Sequence, residues 1–432
     1  MQSQISCQRL QNGKKCSKSD VEICASCRNV MENKAIEHVE TLEYFLNHLF
    51  IVRSSYKQSQ HERSTLMNYF ELNHRLIQLS VSLNLVRFAA LLIFNIDTIS
   101  ILLGDPFFKF PGRKVVYILV IILALTMGLF REYVLHLESK GCLQFLSTFA
   151  LIKKIGFDKR SLKMTDIQLQ KFRHVFYTVG RYFSISMKMC LPLIVALMIG
   201  LRLNNEIYST NLSIWLTSIF WILTEVHALY FAICGVVVIA CHIIMVFPIY
   251  YYQMMSLVEL LEQFSLKEDL VTAEVVRGLS ANTIRFMNEF DQLNDQLKHL
   301  ISYVFVVFSF TADYFIFSAT IMQRNSALLS TVFFAFGAGV LSIIGFETFI
   351  LGGFITKLNV IHALFLRLMR KSKIMFTKKS KPFEVLSRIT GPYNGFKIGD
   401  MITVNKTIFV YYLVENASII MLLSVNIRPF LE

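Results

Sequence analysis

Residues Ile214 to Tyr252 read I-W-L-T-S-I-F-W-I-L-T-E-V-H-A-L-Y-F-A-I-C-G-V-V-V-I-A-C-H-I-I-M-V-F-P-I-Y-Y-Y. That is nearly twice the ~20 apolar residues needed to cross a bilayer core. The run is continuous rather than alternating, which points to a helix and excludes a barrel strand. Two crossings would need a tight turn. Gly235 is the one breaker available, with no Pro or charge cluster beside it. The stretch therefore reads as one crossing, His227–Tyr250, with an extension beyond the membrane. Glu225 and His227 would mark the water boundary.

Working outward, six further apolar runs have spanning length: Leu79–Leu103, Val115–Leu135, Tyr182–Leu201, Leu300–Met322, Ala327–Leu351 and Met401–Val425. The expected fold class is an all-α membrane protein with seven transmembrane helices. Composition agrees. Among 432 residues, 54% are hydrophobic, 38 are Phe, only 17% are charged, and the mean hydropathy is +0.51. These values exclude a disordered chain and a disulfide scaffold. The net charge of +13 fits loops facing anionic lipid, and no nucleic-acid partner is expected. The N-terminus lacks the apolar core of a cleavable signal.

Orientation follows from Lys and Arg in short loops. With the N-terminus inside, segments 138–180, 253–299 and 352–400 hold 22 basic residues, against five in the outer loops. The expectation is a cytoplasmic N-terminus and an extracellular C-terminus, with Asn211 of N-L-S exposed to glycosylation. Four parts follow: a cytoplasmic region 1–78, a bundle of six transmembrane helices with long cytoplasmic loops, 79–351, a cytoplasmic basic linker 352–400, and the seventh helix with its short extracellular tail, 401–432. Within 268–299, Val276, Leu279, Phe286, Phe290, Leu293, Leu297 and Leu300 form an apolar stripe running into the fifth span. Two readings stand: a seam for subunit assembly, or a helix packing within its own subunit. The cluster Arg367–Lys381 reads as a solvated or lipid-facing surface.

Arg87, Asp97, Lys188, Asp313, Glu347 and Glu415 fall inside the predicted spans, where a charge costs roughly 2.5–3.5 kcal/mol. Arg87, Lys188 and Glu347 lie near inner ends and suit snorkelling or ion pairing. Asp313 and Glu415, with Asn416 beside it, lie near the middle of theirs. They suit a water-filled cation passage or a paired carboxyl between helices. His227, Tyr230 and Phe231 lie in the outer half of the fourth span, with Phe317 and Phe333 at similar depth in theirs, as walls of a ligand pocket, for which Asp313 is a further candidate, or as packing residues. Cys24-x-x-Cys27 has zinc-ligand spacing without a matching second pair, so free thiols and no metal are expected. No phosphate-binding loop, nucleophile elbow, H-E-x-x-H or dinucleotide fingerprint occurs, so neither an enzyme nor a cofactor is expected.

The last span ends in A-S-I-I-M-L-L-S-V (Ala417–Val425), and the chain enters it through F-K-I-G-D-M-I-T-V-N-K (Phe396–Lys406). This approach, the helix Asn282–Tyr303 and the overall layout resemble the arthropod gustatory receptors, relatives of insect odorant receptors. The spacing of that family's last-helix signature is kept, while its Thr-Tyr and Gln-Phe letters are replaced by Ala417-Ser418 and Ser424-Val425. The resemblance implies a homo- or heterotetrameric cation channel of the plasma membrane, opened by a small-molecule tastant and lined by the last helix. Met421, Ser424 and Val425 would then form the gate, and Glu415 or Asn416 the wider part below. Rival readings are a G-protein-coupled receptor, which needs the opposite orientation and lacks D-R-Y-like and N-P-x-x-Y motifs here, and a transporter, which would show repeated halves.

Overall fold

The computed structural model describes residues 18–53, 56, 63–94, 96–109, 113–203, 205, 207–208, 212–266, 272–322, 327–371, 380–390, 395–400 and 402–431. Their helices are α1 (Lys18–His48), α2 (Arg63–Ile93), α3 (Asp97–Leu102), α4 (Arg113–Ser139), α5 (Leu146–Ile155) and α6 (Lys159–Leu162). There follow α7 (Asp166–Leu203), α8 (Leu212–Leu266), α9 (Ala273–Met322), α10 (Ala327–Lys371), α11 (Ser380–Ile389) and α12 (Lys406–Leu431). One hairpin, β1 (Lys397–Ile398) with β2 (Ile402–Thr403), precedes α12. Six helices, α2, α4, α7, α8, α9 and α10, are long and apolar enough to cross a membrane. The chain thus has the architecture of an all-α, multi-pass membrane protein.

The spine is α8, which touches α1, α2, α4, α7, α9 and α10. It runs unbroken for 55 residues, or about 80 Å at ~1.5 Å per residue. Gly235 is therefore not a turn. A Cβ there would lie 2.2 Å from Ile51 Cδ1, so its smallness admits the buried turn that follows α1. Leu49, Ile51, Val52 and Tyr56 of that turn are all buried. Tyr56 reaches into the core to His242 Nε2 (2.5 Å), and His242 Nδ1 faces the Val238 carbonyl (2.7 Å). A carbonyl can only accept, so Nδ1 carries the proton and Nε2 accepts from Tyr56.

Several boundaries differ from the sequence expectation. Leu79–Leu103 is not one helix: α2 ends at Ile93, and after an extended Ile96 (φ −112°, ψ 122°) Asp97 opens α3. A carboxylate favours the positive end of a helix over its interior, and hydropathy averaging hides such a break. The membrane-length part of α2 is Tyr69–Ile93, so the 78/79 division falls inside a helix. The 351/352 division likewise falls inside α10. The last helix starts at Lys406 rather than Met401, because the β1–β2 hairpin occupies the preceding residues. The stripe Val276 to Leu300 is indeed continuous with the fifth span in α9, and all of it is buried within the same chain. Phe290, for example, stacks on Phe354 (4.6 Å) and meets Phe396 edge-on (4.9 Å). That stripe is intrasubunit core, and the assembly reading loses its surface.

Gly235→Ala is expected to destabilise the fold by about 1–3 kcal/mol, the range for overpacking a filled core. Gly235→Ala combined with Ile51→Ala should be less damaging than the sum of the two single changes. Thermal midpoints of the purified chain by fluorescence-detected gel filtration check both.

Candidate functional site

The connections α2–α4 and α7–α8 lie at one end of the bundle, here called the upper end. A group of buried charges closes it. Glu225 of α8 accepts from Arg87 of α2 and from Arg202 of α7 (2.8 Å), and the three side chains are at most 4% exposed. Arg87 also donates to the Leu103 carbonyl (2.6 Å) and the Gly104 carbonyl (2.7 Å), and its guanidinium lies 4.6 Å from the Trp221 ring. Beside it, Arg113 Nε lies 2.7 Å from the fully buried Asp105 carboxylate, which also accepts from Tyr117 and from the Phe107 N–H. Burial pushes the Asp105 carboxyl above its ordinary value, against the pull of those partners. Gly104 has φ +59°, and a Cβ on it would meet Trp221 at 2.8 Å. The segment after α3 is thus drawn down into the bundle and bolted there.

This group corrects two expectations. Glu225 does not mark a water boundary; it is 3% exposed between two guanidinium groups. Arg87 lies near the upper end of its helix, not the inner end, because α2 starts and stops earlier than hydropathy suggests. The lone charges at positions 87, 202 and 225 were visible in the sequence. Their convergence was not, since it depends on three helices meeting.

The residues singled out by sequence fall in three places. On α8, His227 Nδ1 bonds Ser80 Oγ (2.9 Å), while Tyr230 and Phe231 pack in the large core near His48 (ring centroids 6.1 and 6.3 Å). Phe333 belongs instead to a separate upper cluster with Phe107 and Tyr117, where it faces Phe315 (5.3 Å). Phe317 is buried on α9. Asp313, also on α9, is 1% exposed, and its Oδ1 has no hydrogen-bond partner among the described residues. Asn211 lies outside the described residues, as do Cys7 and Cys16.

The third place is α12. It touches α9 and α10 along one stripe: Phe409 meets Phe349 (5.8 Å), Tyr412 meets Phe305 (5.1 Å), and Asn416 is 6% exposed one turn higher. Gly345 and Gly352 of α10 leave room for this close approach. Asn416 Nδ2 donates to the Tyr412 carbonyl (2.6 Å), and its Oδ1 is buried without a partner among the described residues. Asn416 therefore faces the subunit and not the free side, which removes it from the proposed passage. Opposite, Val414 (59% exposed), Met421 (69%) and Val425 (68%) lie in one stripe with the exposed Ser418. Glu415 is exposed at its flank and forms no ion pair among the described residues. Ser424 lies in α12, and its side chain is outside the described set.

The base of α12 is held by the hairpin. Phe396 is buried against Phe247 (4.7 Å), Phe290 and Phe354. Asn294 of α9 brackets the strand, donating to the Gly395 carbonyl (3.0 Å) and accepting from Lys397 N–H (2.9 Å). Lys298 bonds Asp400 (2.6 Å) and holds that carboxyl below its ordinary value. No family model matches the chain, and a search of curated proteins finds no match.

Glu225→Ala strands two buried guanidinium groups, for which about 3–5 kcal/mol of destabilisation is expected; a lowered thermal midpoint or loss of monodisperse protein reads it. The Asp400–Lys298 pair makes a pH prediction. A carboxyl depressed in the folded state contributes above its unfolded value and loses that contribution only as pH falls through the folded one. Hydrogen exchange over 395–404, corrected for intrinsic rates, should therefore be unchanged between about pH 7 and pH 5.

Proposed function

We propose that the chain is a chemosensory receptor of the plasma membrane working as a ligand-gated cation channel. Its N-terminus is cytoplasmic, α12 is a seventh span, and four copies, or this chain with related subunits, place α12 around a central pore. Glu415 carries this reading. It is an exposed carboxylate near the middle of an apolar helix, with no ion pair among the described residues, which lipid would penalise and a water-filled passage accommodates. An acidic lining favours cations. Met421 and Val425, one turn apart on the stripe that faces away from the subunit, would close the passage by excluding water. Partner copies of α12 would cover the rest of that apolar face.

The α9–α10–α12 seam is where a tastant would act. Asp313 Oδ1 and Asn416 Oδ1 are buried acceptors that find no donor among the described residues, and a small apolar molecule with a hydroxyl or amine would satisfy them. Because α12 docks along one stripe only, a ligand wedged there biases it between two positions. His227, Tyr230 and Phe231 form a second aromatic wall on the opposite side of α8. The upper charge group would keep α2, α4, α7 and α8 fixed meanwhile.

Epitope tags on intact cells should show the C-terminus outside and the N-terminus hidden; the reverse would revive a G-protein-coupled receptor. Whole-cell recording is expected to show tastant-dependent cation current, and its absence despite surface tetramers would sink the channel reading. Val425→Ala should raise the resting leak, Glu415→Gln should lower cation over anion permeability, and Asp313→Asn should shift the tastant dose response by about tenfold or more, as loss of a buried polar contact does.

A further inference from the structure

Alongside α7 runs α1, and between them lies a groove of about 420 Å³ lined by Glu37, Glu40, Thr41, Tyr44 and Phe45 of α1 and by Lys188 of α7. The two helices ascend in parallel: Glu32 pairs with Arg173 (3.3 Å), the His38 ring lies tilted against Tyr177 (5.6 Å), and the groove opens above. Close packing sets its floor, since a Cβ on Gly180 would lie 3.2 Å from His38 Cβ. Glu37, Glu40 and Lys188 form no ion pair with one another or with any described residue. Tyr44 is 60% exposed, its ring stacked on His48 (5.4 Å, 9° between planes). The charges of Glu37, Lys188 and Arg181 all act on His38, which puts both signs around one side chain.

Position in the bilayer makes this unusual. Lys188 stands fourteen residues below Arg202, or about 21 Å at ~1.5 Å per residue. With the upper charge group at one face of a ~30 Å hydrocarbon core, the Lys188 ammonium comes within side-chain reach of the other face. Around it, Tyr182 (67% exposed), Ile185 (49%) and Met189 (58%) present an apolar surface. The groove thus has carboxylates and an aromatic ring on one wall, a cation on the other, and a greasy exit.

We propose that this groove holds the headgroup of an inner-leaflet phospholipid bearing an ammonium group. The ammonium sits against Glu37, Glu40 and the Tyr44 ring, the phosphate against Lys188, and the acyl chains along Ile185 and Met189. Two carboxylates accept hydrogen bonds from a primary ammonium, and an open tyrosine face attracts it further. An anionic lipid would satisfy Lys188 but meet two like charges. The inference rests on the bilayer placement of the proposed function, and its test does not need channel activity.

The full-length chain in detergent, titrated with dioleoyl-phosphatidylethanolamine, dioleoyl-phosphatidylglycerol or soluble glycerophosphoethanolamine, is followed by native mass spectrometry. The ethanolamine lipid is expected to bind at least about tenfold better than the glycerol lipid and the tail-less headgroup. Glu37→Gln with Glu40→Gln should erase that preference, while Lys188→Gln should weaken both lipids. All these side chains line an open groove, and unchanged thermal midpoints confirm folding. If the double variant does not fold, Lys188→Gln alone decides by whether retention falls. Equal binding of both lipids by the wild-type chain, preference for the glycerol lipid, or indifference to the variants overturns the proposal. Binding of the soluble headgroup as tightly as the lipid assigns the groove to a soluble phosphoamine and overturns the lipid assignment.

Discussion

The upper half of the molecule depends on Glu225 lying between Arg87 and Arg202. Three buried charges at one point are tolerable only because each finds partners: the guanidinium groups take up backbone carbonyls at Leu103 and Gly104 as well as the carboxylate. The arrangement ties α2, α7 and α8 to the segment after α3 and removes that segment from water. Such a group adds little net stability over apolar packing, yet breaking it is costly. It fixes the register of three helices that apolar surfaces alone would let slide. The neighbouring Asp105–Arg113–Tyr117 contacts extend the same constraint to α4.

Below this, stability rests on α8 and the core around it. The turn at Leu49–Val52 threads against Gly235, and the first half of α9 buries its stripe against α10, the hairpin and α8. Against this block, α12 is attached differently. It has one docked stripe, a braced base, and an otherwise apolar exposed surface. The contrast between a cross-linked block and a singly docked helix is what the channel reading uses.

Helix type and six of the seven expected spans were legible in the sequence because apolar runs of spanning length are long and unambiguous; the seventh, Met401–Val425, is a shorter helix preceded by a hairpin and is not among the six. Continuity through Gly235 was legible too, since a lone glycine lacks the company a turn requires. The end of α2 was not: the change at Ile93–Asp97 occupies a few residues inside a run that averages as apolar. The buried stripe of α9 was readable as a stripe, but periodicity cannot say whether its cover comes from the same chain. Met421 and Val425 share a face by spacing alone. That Asn416 points the other way follows from the docking of Tyr412 and Phe409, which no local pattern encodes. The charges at 87, 202 and 225 were each visible, but their meeting is a tertiary fact.

The close approach at Gly352 has a mechanical consequence. A Cβ there would lie 2.7 Å from the Lys406 backbone nitrogen, so the first residue of α12 rests directly on α10. From that fulcrum to Val425 the helix is a rigid arm of roughly 28 Å at ~1.5 Å per residue. A tilt of about 5° at the fulcrum carries the far end through roughly 2.5 Å, comparable to the helix shifts by which interfaces switch. In the four-copy channel proposed above, arms swinging together would widen the central opening by about twice that, the order of a water diameter and more, with little rearrangement at the base.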